Sequence, residues 1–281
     1  MTMKYLFALV NLIRPLNCVI GALTIVVTAV LTRSTDQRGL MMLGGLVVFL
    51  YNAGANAIND YYDYATDRIN RPRRPIASGL LSRKTGLWTS VVLFSLGSLL
   101  ALQLPVPAMI VAILLALPLL VGYSVLLKGR PLVGNLTVAF ILGLVFVFGG
   151  LIFGDYQTML IPATLAFVLT VLRELIKDME DVRGDREQGL RTFPVVAGLP
   201  RSAALVRVIA FITGILMLIP SWFGIYNDIY LWIVLGGIHL PLLYILNQFH
   251  SGVAVPSVRF AAQLLKFSTI AGVLAVYMGS L

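Results

Sequence analysis

The amino-acid sequence predicts an all-α, polytopic membrane protein with nine transmembrane helices, and three observations carry that expectation. The 281 residues are 59% hydrophobic and 12% charged, with a mean hydropathy of +0.92, whereas soluble domains run near 25% charged. Apolar runs of about 20 residues, long enough to cross a hydrocarbon core, recur at roughly 10–32, 39–59, 85–103, 105–127, 132–153, 157–177, 202–223, 229–247 and 259–280. The basic residues then sort to one side. Lys4, Arg14, the cluster from Arg68 to Lys84, Lys128, Arg130, the group from Arg173 to Arg207, Arg259 and Lys266 fall at one face, and Arg33 and Arg38 at the other. Lys and Arg favour the cytoplasmic ends of spans. The expectation is a cell-membrane protein with its N-terminus inside and its C-terminus outside. The net charge of +9 is thereby read as topology, and no nucleic-acid partner is expected.

The first span carries Arg14, Pro15, Asn17 and the only cysteine, Cys18. Arg14 either snorkels at a helix entrance or serves an anionic site at the face it shares with the acidic residues. A lone Cys inside a span is a small apolar filler; one thiol allows neither an intrachain disulfide nor a multi-Cys metal site. Arg14-Pro15 interrupts the apolar run and no small-residue cleavage motif follows, so the segment reads as a retained helix rather than a signal peptide.

The second span runs into residues 56–79, NAINDYYDYATDRINRPRRPIASG, where Asp60, Asp63 and Asp67 precede Arg68, Arg71, Arg73 and Arg74. No Gly or Pro separates Asn56 from Asp67, so the spacing predicts one unbroken helix end. Asn56, Asp60, Asp63 and Asp67 then fall within an arc of about 60°, along about 16 Å of axis. Pro72 and Pro75 end that helix, and 76–79 form a turn. At the end of span six, Glu174, Asp178, Asp181 and Asp185 repeat the spacing, and Pro194 with Val195-Val196-Ala197-Gly198 is expected to end that helix in the same way. Nine of the twelve acidic residues lie in these two segments. Stacked carboxylates repel and are costly at membrane depth, so a cation should neutralise them. All-oxygen ligands without His or Cys suit Mg²⁺, which is held by a few carboxylates together with substrate phosphates.

The segments lie four spans apart, which predicts two similar four-helix units, about 10–127 and 132–247, followed by a last helix at about 259–280. Elsewhere the residues are less specific. The loop 122–131 contains Tyr123, Lys128 and Arg130, which either close over an anion or anchor the chain at the cytoplasmic face. Gly150 and Gly154 form a GxxxG pattern expected to let helices pack closely. His239 and His250 are isolated, and the 248–258 loop faces the same side as the acidic segments.

A metal-bound diphosphate beside an apolar cavity suits a polyprenyl diphosphate. Mg²⁺ and cationic side chains would stabilise the departing diphosphate, and a dry cavity would protect an allylic cation from water. The motifs Asn59-Asp60-x-x-Asp63-x-x-x-Asp67, Arg71-Pro72-x-Arg74-Pro75 and Lys177-Asp178-x-x-Asp181-x-x-Gly184-Asp185 resemble the paired signature of the UbiA superfamily of intramembrane prenyltransferases. The resemblance implies a nine-helix bundle around a central cavity, a lateral opening for membrane lipids and two Mg²⁺ ions bridging the prenyl diphosphate. It implies Asp60, Asp63, Asp67, Asp181 and Asp185 as catalytic metal ligands together with Asn56. Asn59, Glu174 and Asp178 would support them from behind. Arg68, Arg71, Arg74, Tyr123, Lys128 and Lys177 would hold the diphosphate, and Arg14 and Asn17 the acceptor.

Within the superfamily, Leu12-Ile13-Arg14-Pro15 and Ile69-Asn70-Arg71-Pro72 look most like the digeranylgeranylglyceryl phosphate synthase branch, which joins geranylgeranyl diphosphate to a phosphoglycerol lipid. Branches acting on aromatic rings or tetrapyrroles, of quinone, tocopherol or chlorophyll type, share several of these features. A cation-coupled transporter is the rival from another class, although its charges would sit near the bilayer midplane in broken helices.

Overall fold

Proline sets the first bend. In the computed structural model, which describes residues 3–250 and 255–281, α1 (Met3–Ile13) and α2 (Pro15–Leu31) meet at 44°. A proline disfavours helical backbone in the residue before it, and Arg14 adopts a left-handed conformation with φ 53°. The run expected as one span at 10–32 is therefore a bent pair.

The chain continues through α3 (Arg38–Tyr62), α4 (Tyr64–Asn70) and α5 (Arg83–Ala101), then α6 (Val106–Leu127), α7 (Val133–Phe153) and α8 (Leu160–Glu187). The short α9 (Phe193–Ala197) leads to α10 (Leu199–Trp222), α11 (Asp228–Gln248) and α12 (Val255–Gly279). Among the described residues there is no strand. Among the described residues, seven helices are long and apolar enough to cross a membrane, or eight if the bent α1–α2 pair is one span. Residues 251–254 of the 248–258 loop lie outside the described residues.

Two helices widen into π turns ahead of a proline: α6 at Val111–Ala116 before Pro118, and α11 at Leu235–His239 before Pro241. Proline supplies no N–H, and its ring collides with the carbonyl four residues back; a wider turn accommodates both defects. A further π turn, Tyr123–Leu127, carries α6 through residues expected to be loop.

Of three apolar clusters, two organise most of the packing. One joins α3, α5, α6 and α7 through Val47, Tyr51, Phe94 and Phe148; the other joins α8, α10, α11 and α12 through Leu172, Ile176, Val206, Ile238 and Leu265. The periphery exposes Trp88, Leu99, Leu114, Phe211, Trp232 and Phe267, apolar surface suited to lipid. The GxxxG expectation is corrected here. A Cβ at Gly150 would press on the 155–156 backbone, and Gly154 is the left-handed cap of α7 with φ 84°. The close helix approach is made by Gly143 instead, where a Cβ would stand 2.8 Å from the Ala163 carbonyl oxygen on α8.

Candidate active site

The two acidic segments meet at one end of the bundle, but they are not alike. The first breaks at Asp63, which caps both α3 and α4 with φ −78° and ψ 0°, the sparsely populated bridge region where many active-site residues sit. The expected unbroken column is thus two short runs, Asn56 to Asp60 on α3 and Asp67 on α4. The second segment stays helical to Glu187, and the chain leaves it at Gly189 with φ 68°. Pro194 does not end that helix; it occupies the first turn of α9, where its missing N–H costs nothing.

Every carboxylate of the first segment is buried and paired with a cation from a different element. Asp60 is 2% exposed. It is bonded by Arg14, which also donates to Asn56 Oδ1 at 3.0 Å, and Arg74 Nη1 lies 3.4 Å away. Asn56 Nδ2 donates in turn to the Ile13 carbonyl at 2.9 Å, so the strained Arg14 corner is anchored to α3 from both sides. Lys128, at the end of α6, pairs with Asp63, and Ser124 donates to Asn59. Arg74 Nη1 binds Asp67 Oδ2 at 2.6 Å. Burial pushes the Asp67 carboxyl above its usual range against the pull of Arg74, whose own guanidinium the carboxylates hold above its usual value despite burial.

The second segment mixes neutral and charged partnerships. Asn135 on α7 donates to Asp178 at 2.8 Å, and Thr192 donates to Asp185 at 3.1 Å. Glu174 receives Lys177 at 2.8 Å and Arg173 at 3.2 Å. Asp181 is reached from the other segment: Arg71 lies 3.0 Å away. Beside that ion pair Asn70 donates to the Asp181 carbonyl at 3.0 Å and accepts from the Gly184 N–H at 3.1 Å. Arg71 and Asn70 therefore tie the two segments together.

Of the expected residues, Arg68 is not brought in; it is exposed, with its guanidinium 5.8 Å from the centre of the Tyr64 ring. Arg14, Asn17, Asn56, Asn59, Tyr123, Glu174 and Lys177 line a cavity of about 280 Å³ that runs from the polar end into the bundle. Its deeper wall is apolar, with Leu142, Phe146, Leu165, Leu169, Ile238 and Val273. Asn70, Ser124, Asn135 and Arg173 were not singled out by the sequence reasoning. Asn70 alone left a signal, as a polar residue inside Ile-Asn-Arg-Pro with no assigned role.

Among the described residues no three His, Cys, Asp or Glu side chains converge on one point, because Arg and Lys stand between the carboxylates. The donor set nonetheless fits Mg²⁺. That ion is usually held by one or two carboxylates, with phosphate oxygens and water completing its octahedron, and Asp60 Oδ2 is a buried oxygen without a hydrogen-bond partner.

Known proteins share this plan. A digeranylgeranylglyceryl phosphate synthase from Methanothermobacter thermautotrophicus is 38% identical over 228 residues, 80% of this chain and 79% of its own. A solved structure described as giving structural and mechanistic insights into digeranylgeranylglyceryl phosphate synthase in membranes superposes with a TM-score of 0.72 at 25% identity, covering 99% of both chains. At 18% identity, a UbiA homologue from Archaeoglobus fulgidus bound to GPP and Mg²⁺ shares the fold, with a TM-score of 0.68 over 96% of this chain and 99% of its own. The UbiA prenyltransferase family matches residues 19–270, a stretch that contains both acidic segments and the helices that face them across the cavity, and the chain belongs to that family.

Proposed function

We propose that this protein transfers a geranylgeranyl group from its diphosphate to geranylgeranylglyceryl phosphate, forming digeranylgeranylglyceryl phosphate in an Mg²⁺-dependent reaction of ether-lipid synthesis. The observation that carries the reading is the pair of aspartate segments, tied through Arg71 and Asn70 at the polar end of an apolar cavity. The relatives named digeranylgeranylglyceryl phosphate synthase support the acceptor, and the homologue bound to GPP and Mg²⁺ supports the metal.

Asn56, Asp60, Asp63 and Asp67 on one side, with Asp181 and Asp185 on the other, would hold two Mg²⁺ ions, whose charge lets diphosphate leave. Arg71, Arg74 and Lys128, now paired with these carboxylates, are the cations available to the phosphate oxygens, with Tyr123 and Lys177 at the inner border. The allylic C–O bond breaks with its electron pair staying on diphosphate. The acceptor hydroxyl oxygen forms the new C–O bond, and its proton passes to a diphosphate oxygen or to a carboxylate of the first segment. The apolar wall keeps water from the developing cation.

In the membrane we infer nine crossings, counting α1–α2 as one and adding α8. The 28 residues of α8 extend about 42 Å and include a charged end that carries the site out of the hydrocarbon. Two four-helix units and a last helix follow from that count. The distribution of Lys and Arg favours a cytoplasmic active site, with the N-terminus inside and the C-terminus outside.

Purified protein with Mg²⁺ is expected to join geranylgeranyl diphosphate to geranylgeranylglyceryl phosphate, detected by mass spectrometry. An acceptor panel that yields only prenylated aromatic rings would replace this acceptor assignment; release of no diphosphate with any acceptor would overturn the transferase reading.

A further inference from the structure

The cavity wall carries a cationic group that the aspartate segments do not account for. Arg173 and Lys177 on α8 share a single carboxylate, Glu174, at 3.2 and 2.8 Å. Lys266 lines the same cavity from α12, and among the described residues no acidic side chain lies within ion-pair distance of it. Two positive charges are thus unbalanced in a wall that is otherwise largely apolar. Ionisable side chains inside a membrane protein are costly and mark substrate paths, and an uncompensated pair of cations calls for an anion. Lys266 also sits at an edge of the cavity. It is exposed, as is Asn17 at the start of α2, and both line the cavity.

We propose that Arg173 and Lys266, with Lys177 shared at the border of the diphosphate region, form a second anion subsite, which takes the phosphate monoester of the lipid acceptor. The inference rests on the acceptor reading above and adds where its headgroup is held. Arg14, the residue expected to serve the acceptor, is bonded to Asn56 and Asp60 and so belongs to the first aspartate segment. On α8, one turn of about 6 Å separates Asp181 from Lys177 and another separates Lys177 from Arg173. In a glycerol phosphate the free hydroxyl and the phosphate sit on neighbouring carbons. A phosphate gripped at Arg173 and Lys177 therefore turns the hydroxyl toward the prenyl carbon losing its diphosphate, while Lys266 closes the grip from α12, which packs against α8. An acceptor without phosphate would leave these charges unmatched, which makes the subsite a source of specificity.

The test measures binding and turnover separately, on full-length protein in detergent. Radiolabelled geranylgeranylglyceryl phosphate and the corresponding dephosphorylated alcohol are bound without Mg²⁺ or prenyl diphosphate. Wild type is expected to prefer the phosphorylated lipid by about tenfold or more, the scale of one or two charge-assisted hydrogen bonds. Lys266→Met and Arg173→Met are expected to lose that preference, and Lys266→Arg to keep it. In turnover, Lys266→Met should raise KM for the phosphorylated acceptor and leave KM for prenyl diphosphate unchanged. Arg173→Met removes one of two partners of buried Glu174 and can fail to fold, whereas exposed Lys266 carries no such burden, so the proposal is decided on Lys266. A Lys266→Met protein that keeps the wild-type binding preference, or that changes only the KM for prenyl diphosphate, overturns the subsite. If wild type turns over no phosphoglycerol acceptor, that failure falls on the acceptor reading, while the binding measurement still decides whether the anion subsite exists.

Discussion

The segments 56–79 and 174–198 carry aspartates at the same spacing and end as different structures. The first is broken at Asp63, and its own Arg74 is joined there by Arg14 and Lys128 from two other parts of the chain. The second is helical without a break from Glu174 to Glu187, and its aspartates bond to Asn135, Thr192 and, once only, a charged partner, Arg71. An equal spacing therefore does not give equal chemistry. The first segment assembles charge from distant elements, and the second presents a rigid rail against which it is held. Division of labour follows: Asp60 pairs with Arg14 and Arg74 and Asp181 with Arg71, whereas Asp178 is turned to α7.

Removing charge from these two ion-paired aspartates, one in each segment, should have the largest effect. Asp60→Asn and Asp181→Asn are each expected to lower turnover by about 10³-fold or more, the order seen when a preorganised electrostatic contact to a developing charge is lost. Both changes are nearly isosteric, so size-exclusion profiles should match wild type. Turnover within tenfold of wild type in either variant would remove that aspartate from the site.

The link between the segments should rank next. Asn70→Ala deletes two hydrogen bonds, to the Asp181 carbonyl and from the Gly184 N–H, each contributing about 1 kcal/mol. Gly184→Ala reaches the same contact from the other side, because a Cβ there would lie 2.6 Å from Asn70 Cγ. Each is expected to lower kcat by about tenfold to a hundredfold, the scale on which small misplacement slows a reaction. In a double-mutant cycle the two losses should not add. Additive losses would mean that Asn70 and Gly184 act separately and that no clamp exists.

Much of the fold was legible because hydropathy is a local property. The apolar runs mark the helices, and the repeated aspartate spacing marks both halves of the site without any knowledge of packing. The break at Asp63 was not legible. Its neighbourhood is set by Lys128, which lies 65 residues on in sequence, and by Ser124 holding Asn59 across the same separation. The role of Arg14 stayed open for the same reason: its partner Asp60 is 46 residues away. Gly150 and Gly154 misled because GxxxG reports small residues and not what stands opposite them. Pro194 misled because proline both ends helices and opens them, and the choice depends on where the preceding helix has already stopped.

Asp178 tests whether the second segment works as a column or as a rail. Asp178→Asn keeps the side-chain shape, and an amide carbonyl can still accept from Asn135 Nδ2. We expect turnover within about fivefold of wild type and a stability change below about 1.5 kcal/mol, the net worth of a typical hydrogen bond. A loss comparable to that of Asp181→Asn would restore the symmetric column and overturn the division of labour argued above.

The smallest effect is expected at Arg68, and it bears on the first segment's four arginines. Arg71 and Arg74 reach Asp181 and Asp67 at 3.0 and 2.6 Å, whereas Arg68 stands over the Tyr64 ring. On α4, Asp67 points inward, and the next residue is turned by about 100°, which directs Arg68 away from the carboxylates. A cation over an exposed aromatic ring contributes about 0.5–1 kcal/mol, so Arg68→Ala should leave KM for prenyl diphosphate within about twofold. Arg74→Ala, by contrast, strands a buried Asp67, a loss that costs about 3–5 kcal/mol when one partner of a buried ion pair is removed, and should lower both stability and turnover. If Arg68→Ala instead raised KM for prenyl diphosphate by tenfold, α4 would have to rotate when substrate binds. The first segment would then be the moving half of the site and the second its fixed wall.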